Sequence, residues 1–100
     1  MTVKAPFQGN RGGNRIVSVV AVSSSASIAS SNKSVRIVNT GASIAHVRIG
    51  PGAQTASNAD TPIRAGTEII LSKGDGDNVI AYISSAGTTL HIQPGEGGVL

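Results

Sequence analysis

The chain has no cysteine, no tryptophan, one tyrosine and one phenylalanine in 100 residues. Without cysteine there is no disulfide framework and no thiolate metal site. With only Phe7 and Tyr82 as rings, it also lacks the side chains that supply the largest buried areas. Its core must be assembled from Ile and Val with Ala as filler, and β-branched side chains suit a pleated surface. One domain of this size buries one modest core, which leads us to expect further apolar surface buried against a partner. The longest apolar stretch, Ile16 to Val22, is interrupted by Ser18 and is too short to cross a bilayer. The first residues lack the basic, apolar, small-residue order of a secretory signal. The expectation is a chain made in a cytoplasm, with no membrane partner.

Negative charge is missing from more than half of the chain. Residues 1–59 contain Lys4, Arg11, Arg15, Lys33, Arg36 and Arg48 and no acid, whereas residues 60–100 contain Asp60, Glu68, Asp75, Asp77 and Glu96 against Arg64 and Lys73. The two parts carry +6 and −3. Such polarity can orient docking onto an acidic surface or onto a second copy.

What remains is a string of short strands. Residues 1–15, "MTVKAPFQGNRGGNR", are rich in Gly and Asn and read as an extended basic arm, with Val3 and Phe7 its only sizeable apolar groups. From residue 16 to 100 the pattern is that of a β domain. "IVSVVAV" reads as a well-buried strand. "SSSASIASSNKS" reads as loop-like, with a short strand around Ile28. "VRIVNTGASIAHVRIG" gives two alternating strands around a turn, with Gly41 available for positive φ. They form a hairpin or a pair crossing between sheets, with Arg36, His46 and Arg48 on a polar face. Residues 53–62 read as a long loop. "IRAGTEIILS", "VIAYIS" and "TLHIQP" supply further strands, the last closed by Pro94. No segment has the 3.6-residue apolar spacing of a helix. Seven or eight strands punctuated by Gly and Pro predict an all-β, antiparallel β-sandwich, either jelly-roll or immunoglobulin-like.

Catalytic chemistry is thinly represented. Serines abound, but only His46 and His91 could serve as a base, and there is no G-x-S-x-G elbow. The five acids fall mostly in turns, so no carboxylate pair is directed at one pocket. "GDGDN" offers calcium-type oxygens at Asp75, Asp77 and Asn78 without the rest of an EF-hand loop, and a tight Gly-Asp turn is the simpler reading. "GNRGGNR" could touch phosphates, but without stacking rings no direct nucleic-acid role is expected. The residues point to no enzyme, no cofactor and no metal.

The turn-forming pieces Asn39 to Gly41, Arg48 to Gly50, Pro62 to Gly66 and Pro94 to Gly97 together resemble a class of small β-rich proteins of tailed-bacteriophage virions. The resemblance spans residues 34–97. It implies a structural virion protein of the capsid decoration or cement type. Such a protein would sit as a dimer or trimer on the capsid surface, bridge major capsid subunits, and be assembled in the host cytoplasm. On that reading Val3, Lys4, Phe7, Arg11, Arg15, Arg36 and Arg48 are the partner-binding candidates. A head–tail connector, head-fibre or tail component is the alternative within the class, and a carbohydrate-binding sandwich the alternative outside it.

Overall fold

The computed structural model describes residues 8, 9, 14–28, 33–74 and 76–96. All regular structure among them is strand: β1 (Gln8–Gly9), β2 (Arg15–Val19), β3 (Ser24–Ser27), β4 (Ser34–Asn39), β5 (Ala45–Gly50), β6 (Thr61–Ile63), β7 (Glu68–Ser72), β8 (Val79–Ile83) and β9 (Thr88–Glu96). One antiparallel sheet runs β2-β9-β4-β7, with β1 continuing the β2 side of β9; the other runs β3-β8-β5-β6. Each sheet is therefore four strands wide. Successive strands change sheet at every connection after β2 except β5 to β6. That order is the jelly roll, which decides between the two sandwich topologies left open by the sequence.

Alternation explains which side chains face inward. Val35, Ile37 and Asn39 on β4, Leu90 and Ile92 on β9, and Val19 on β2 are buried against Ala45 and Val47 on β5, Ile63 on β6, and Ile80 and Tyr82 on β8. The core is aliphatic apart from Tyr82, as the composition requires. Ile28 closes it just after β3, so the short strand expected around Ile28 ends at Ser27. Gln8 and Gly9, within the expected arm, pair with Glu96 and Gly95, and Arg15 opens β2. Val3, Lys4, Phe7 and Arg11 lie outside the described residues.

Three local expectations change. β4 and β5 lie in different sheets, the second of the two arrangements the sequence allowed. Arg36 and the pair His46 and Arg48 consequently occupy opposite outer faces of the sandwich, not one polar face. Gly41 is not at positive φ; its role is close approach, because a Cβ there would collide with Thr88 Oγ1 and lie 2.7 Å from Thr89 N. Finally, β9 does not close at Pro94 but runs on to Glu96. Thr40 N donates to Thr89 O one step beyond the registered Asn39–Leu90 pair, so the odd-numbered β9 residues face β4 and the even-numbered ones face β2. Pro94 therefore turns its donor-free nitrogen to the side where pairing with β2 has ended at Ile92 and pairing with β1 begins at Gly95.

Asn39 holds one end of the sandwich. Its side chain is fully buried. Nδ2 donates to Ser43 O (2.8 Å) and Ile63 O (2.9 Å), while Oδ1 accepts from Gly41 N (3.1 Å) and Thr88 Oγ1 (2.6 Å). All four positions of the amide are filled. Its backbone N donates to Thr67 O (2.9 Å), and its carbonyl accepts from Gly66 N (2.8 Å), a glycine at φ 75°. One residue thus fastens the β4–β5 crossing, the end of β6, the β6–β7 turn and the start of β9.

Losing that amide strands several buried groups, each costing about 1–3 kcal/mol. Asn39→Ala is expected to destabilise the fold by about 3 kcal/mol or more, lowering Tm by at least about 12 °C in a thermal melt. Gly41→Ala is expected to fall in the same range. Asn39→Asp sets a carboxylate against two carbonyl oxygens, which raises its folded pKa. Its charge penalty is then full at neutral pH and shrinks as pH falls toward the unfolded value of about 3.9. Melts of the three variants between pH 3 and 7 read this out.

Candidate interaction surface

The groups that carry chemistry do not converge. His46 lies on the outer face of β5, in register with Pro62 and Ile83; His91 lies on the outer face of β9, between Ile16 and Val38. The two imidazoles are on opposite sides of the molecule. No described hydrogen bond or ion pair joins either to a carboxylate, and among the described residues no three His, Asp or Glu side chains gather as metal ligands. The described part of the GDGDN segment is a turn. Asp77 Oδ2 accepts from Gly74 N (2.8 Å), Asn78 Oδ1 accepts from Gly52 N (3.0 Å), and Lys73 Nζ donates to Asp77 O (2.8 Å). Asp75 lies outside the described residues.

The three described arginines among the partner-binding candidates are each tied within the chain. Arg15 Nε donates to Ser27 O (2.8 Å), bridging the adjoining edges of the two sheets. Arg36 pairs with Glu68 (2.6 Å) on the outer face of the first sheet, and Arg48 with Asp60 (3.3 Å) on the second. The Arg36 and Arg48 side chains remain 39% and 53% exposed. Pairs so open to solvent contribute little to stability, and both guanidinium groups still present surface to a partner.

The two outer faces differ. Residues 51–60 fold back over the second sheet: Ala56 N donates to Ser23 Oγ (2.8 Å), Ala56 is buried, and Ala81 on the outward side of β8 is fully buried too. No described segment folds back over the first sheet. On it a shallow groove of about 210 Å³ is lined by Asn14, Ile16, Arg36, His91 and Gln93 among others. Among the described residues its lining includes no Phe, Tyr or Trp ring on which a sugar could stack.

Exposed aliphatic groups mark a different place. Ile16 is 69% exposed, Val20 51%, Val22 74% and Ile44 40%. Ile16 and Val20 share the outer side of the β2 segment, with Ser18 between them. The backbones of Val20 and Ile44 are both tied to Ser84 at one end of the sandwich, where Ser84 donates its N–H to Val20 O (2.9 Å) and its hydroxyl to Ile44 O (2.8 Å). The sequence predicts Ile16 to Val22 as a well-buried strand; only Val17 and Val19 turn inward, because β2 is an edge. Its signal in the sequence was the serine interrupting the run, together with the complete lack of charge from Ile16 to Ile28.

No protein-family model matches the chain, and neither does any curated protein. Solved structures do. PirA is similar over 81% of this chain and 92% of its own, with a TM-score of 0.57 and 13% identity. Protein NMB1881 from Neisseria meningitidis is similar over 92% and 88%, with a TM-score of 0.50 and 15% identity. Hydroxypropylphosphonic acid epoxidase from S. wedmorenis is similar over 81% of this chain but 42% of its own, with a TM-score of 0.50 and 9% identity. At such identities the likeness concerns the fold alone.

Tyr82 reports on the interior beside the β2 and β3 edges. Burial raises its pKa, and the positive charge of Arg15 partly offsets this. As the only tyrosine it can be followed alone, by absorbance at 295 nm, and its midpoint is expected above the ordinary value of about 10. Because the folded pKa is the higher one, the associated stability is complete below about pH 10 and is lost as pH rises through the folded value. Arg15→Ala should move the midpoint further up; a midpoint at or below the ordinary value contradicts the assignment.

Proposed function

We propose that this chain is a structural virion protein that binds the outer surface of a bacteriophage capsid and stabilises it by bridging major capsid subunits. The observation that carries the reading is the gathering of exposed aliphatic side chains, Ile16, Val20, Val22 and Ile44, along one edge and one end of a rigid jelly roll. A surface of that kind serves adhesion. Two further observations favour it. The turn-forming pieces of residues 34–97 resemble those of virion decoration proteins, and the jelly roll is a fold that viral capsids use repeatedly. Fold alone would not assign the role.

In this reading the sandwich is a preformed plug for a gap between capsid subunits. The basic segment ahead of β2 adds Lys4 and Arg11 to the approach toward an acidic shell, which governs rate and orientation more than affinity. Val3 and Phe7 would anchor it if it adds a strand to a capsid sheet. A symmetric shell repeats each weak contact many times, so avidity replaces individual strength.

Full-length protein added to capsids stripped of it is expected to bind saturably and raise the temperature at which the shells open. The double variant Lys4→Glu, Arg11→Glu should associate more slowly and with weaker salt dependence. Counting copies in intact particles decides the position: hundreds place it on the shell, and six or twelve would move it to the neck or tail. Absence from particles removes the virion reading altogether.

A further inference from the structure

The four sheet edges are not treated alike. β6 has three residues and contains Pro62. β7 begins at Glu68, whose carboxylate holds Arg36. β3 has four residues, and the carbonyl of its last one, Ser27, is taken by Arg15. Short length, proline and charge are the means by which proteins blunt an edge. After Arg15, β2 has none of them: Ile-Val-Ser-Val continues into Val-Ala-Val without a charge or a proline.

The ladder fixes what β2 offers. Since the even-numbered residues of β9 face β2, and Val17 pairs with Leu90, the N–H and C=O of Arg15, Val17 and Val19 point to β9. Those of Ile16 and Ser18 point away from it, and no described strand lies on that side. The side chains of Ile16, Ser18 and Val20 stand on the outer face.

We infer that β2 is the interface with a second copy of this chain, paired antiparallel about Ser18 so that two four-stranded sheets become one of eight. The strand is its own complement in that register. Ser18 meets the partner's Ser18 as a hydrogen-bonded pair, Ile16 meets the partner's Val20, and Val17 meets the partner's Val19. β2 ends at Val19, so Arg15 lies beyond the paired stretch of the partner's strand and no like charges confront each other. The N–H and C=O of Ser18 coincide with those of the partner's Ser18 in this arrangement, while the Val20 carbonyl, just past the end of β2, stays on Ser84 N at 2.9 Å, and the two-fold axis keeps both outer faces on the same side. A strand of different sequence has no such match guaranteed by the chain itself. This dimer requires no capsid, so its fate and that of the virion reading are separate.

Sedimentation of the full chain is expected to give about 20 kDa, twice the 10.0 kDa protomer. Ser18→Pro removes a donor that faces away from β9, so it should give about 10 kDa with an unchanged far-ultraviolet spectrum. Ser18→Lys, which sets two ammonium groups side by side, provides the same readout if proline disturbs the strand. Because the chain has no cysteine, Ser18→Cys creates a single thiol. A hydrogen-bonded antiparallel pair holds its Cα atoms about 5.5 Å apart, within disulfide reach. Mild oxidation should therefore link Ser18→Cys into a dimer and leave the control Ser85→Cys monomeric. A wild-type monomer at about 100 μM, or a dimer that survives both Ser18→Pro and Ser18→Lys, overturns the inference. A monomer also results if residues ahead of β2 cover the edge, and the inference is then equally overturned.

Discussion

A sandwich built from Ile, Val, Leu and Ala has a positional problem that one buried amide solves. Hydrophobic burial is non-directional, and two aliphatic faces can slide over each other at little cost. Asn39 cannot slide. Its four side-chain hydrogen bonds reach Gly41, Ser43, Ile63 and Thr88, which belong to three separate stretches of chain and to both sheets. In a low-dielectric interior each unmade bond is expensive, so only one relative placement of β4, β6 and β9 satisfies the amide. The glycine two residues on belongs to the same constraint, since the crossing must pass flush against Thr88 and Thr89.

The same topology accounts for the uneven charge. A jelly roll interleaves early and late strands: β4 lies between β7 and β9, and β5 lies between β6 and β8. The basic half of the sequence is thus laid beside the acidic half. Arg36 meets Glu68, Arg48 meets Asp60, and Glu96 accepts from the Lys33 backbone at 3.1 Å. Of the imbalance of +6 against −3 along the sequence, Arg36–Glu68 and Arg48–Asp60 are ion pairs that join the early half to the late half among the described residues. Linear charge polarity is therefore a poor guide to surface polarity wherever long-range pairing dominates.

Much of the fold was legible from period-two patterning. The inward sets Val35, Ile37 and Asn39, Ala45, Val47 and Ile49, and Ile80, Tyr82 and Ser84 follow from alternation alone, and the turn at Ala65 and Gly66 follows from residue type. Alternation reports the face of a strand and says nothing about its neighbours. It could not decide between a β4–β5 hairpin and the crossing between sheets that the structure has, nor show that β9 serves as a central strand beyond Pro94. For the same reason "IVSVVAV" looked buried. A run of valines is what a central strand looks like, and only the topology, with β9 on one side of β2 and nothing described on the other, makes Ile16 and Val20 a surface. The exposed residues were thus in plain view but assigned to the core.

An edge left bare has a cost that argues for its use. Unprotected β edges promote uncontrolled association, and this chain has blunted three of four. An idle sticky edge would therefore be a liability with no offsetting gain in packing. Pairing converts that liability: the outward groups of Ser18 gain partners, and aliphatic surface leaves water. Because pairing about Ser18 brings the outer faces of two first sheets onto one side, it would also double the area presented there, with Arg36, His91 and Gln93 repeated across the two-fold axis. A module whose described residues assemble no reactive constellation, yet can present a broad repeated face, is physically suited to gripping a repeating surface. That requirement is geometric and holds whatever the identity of the surface gripped.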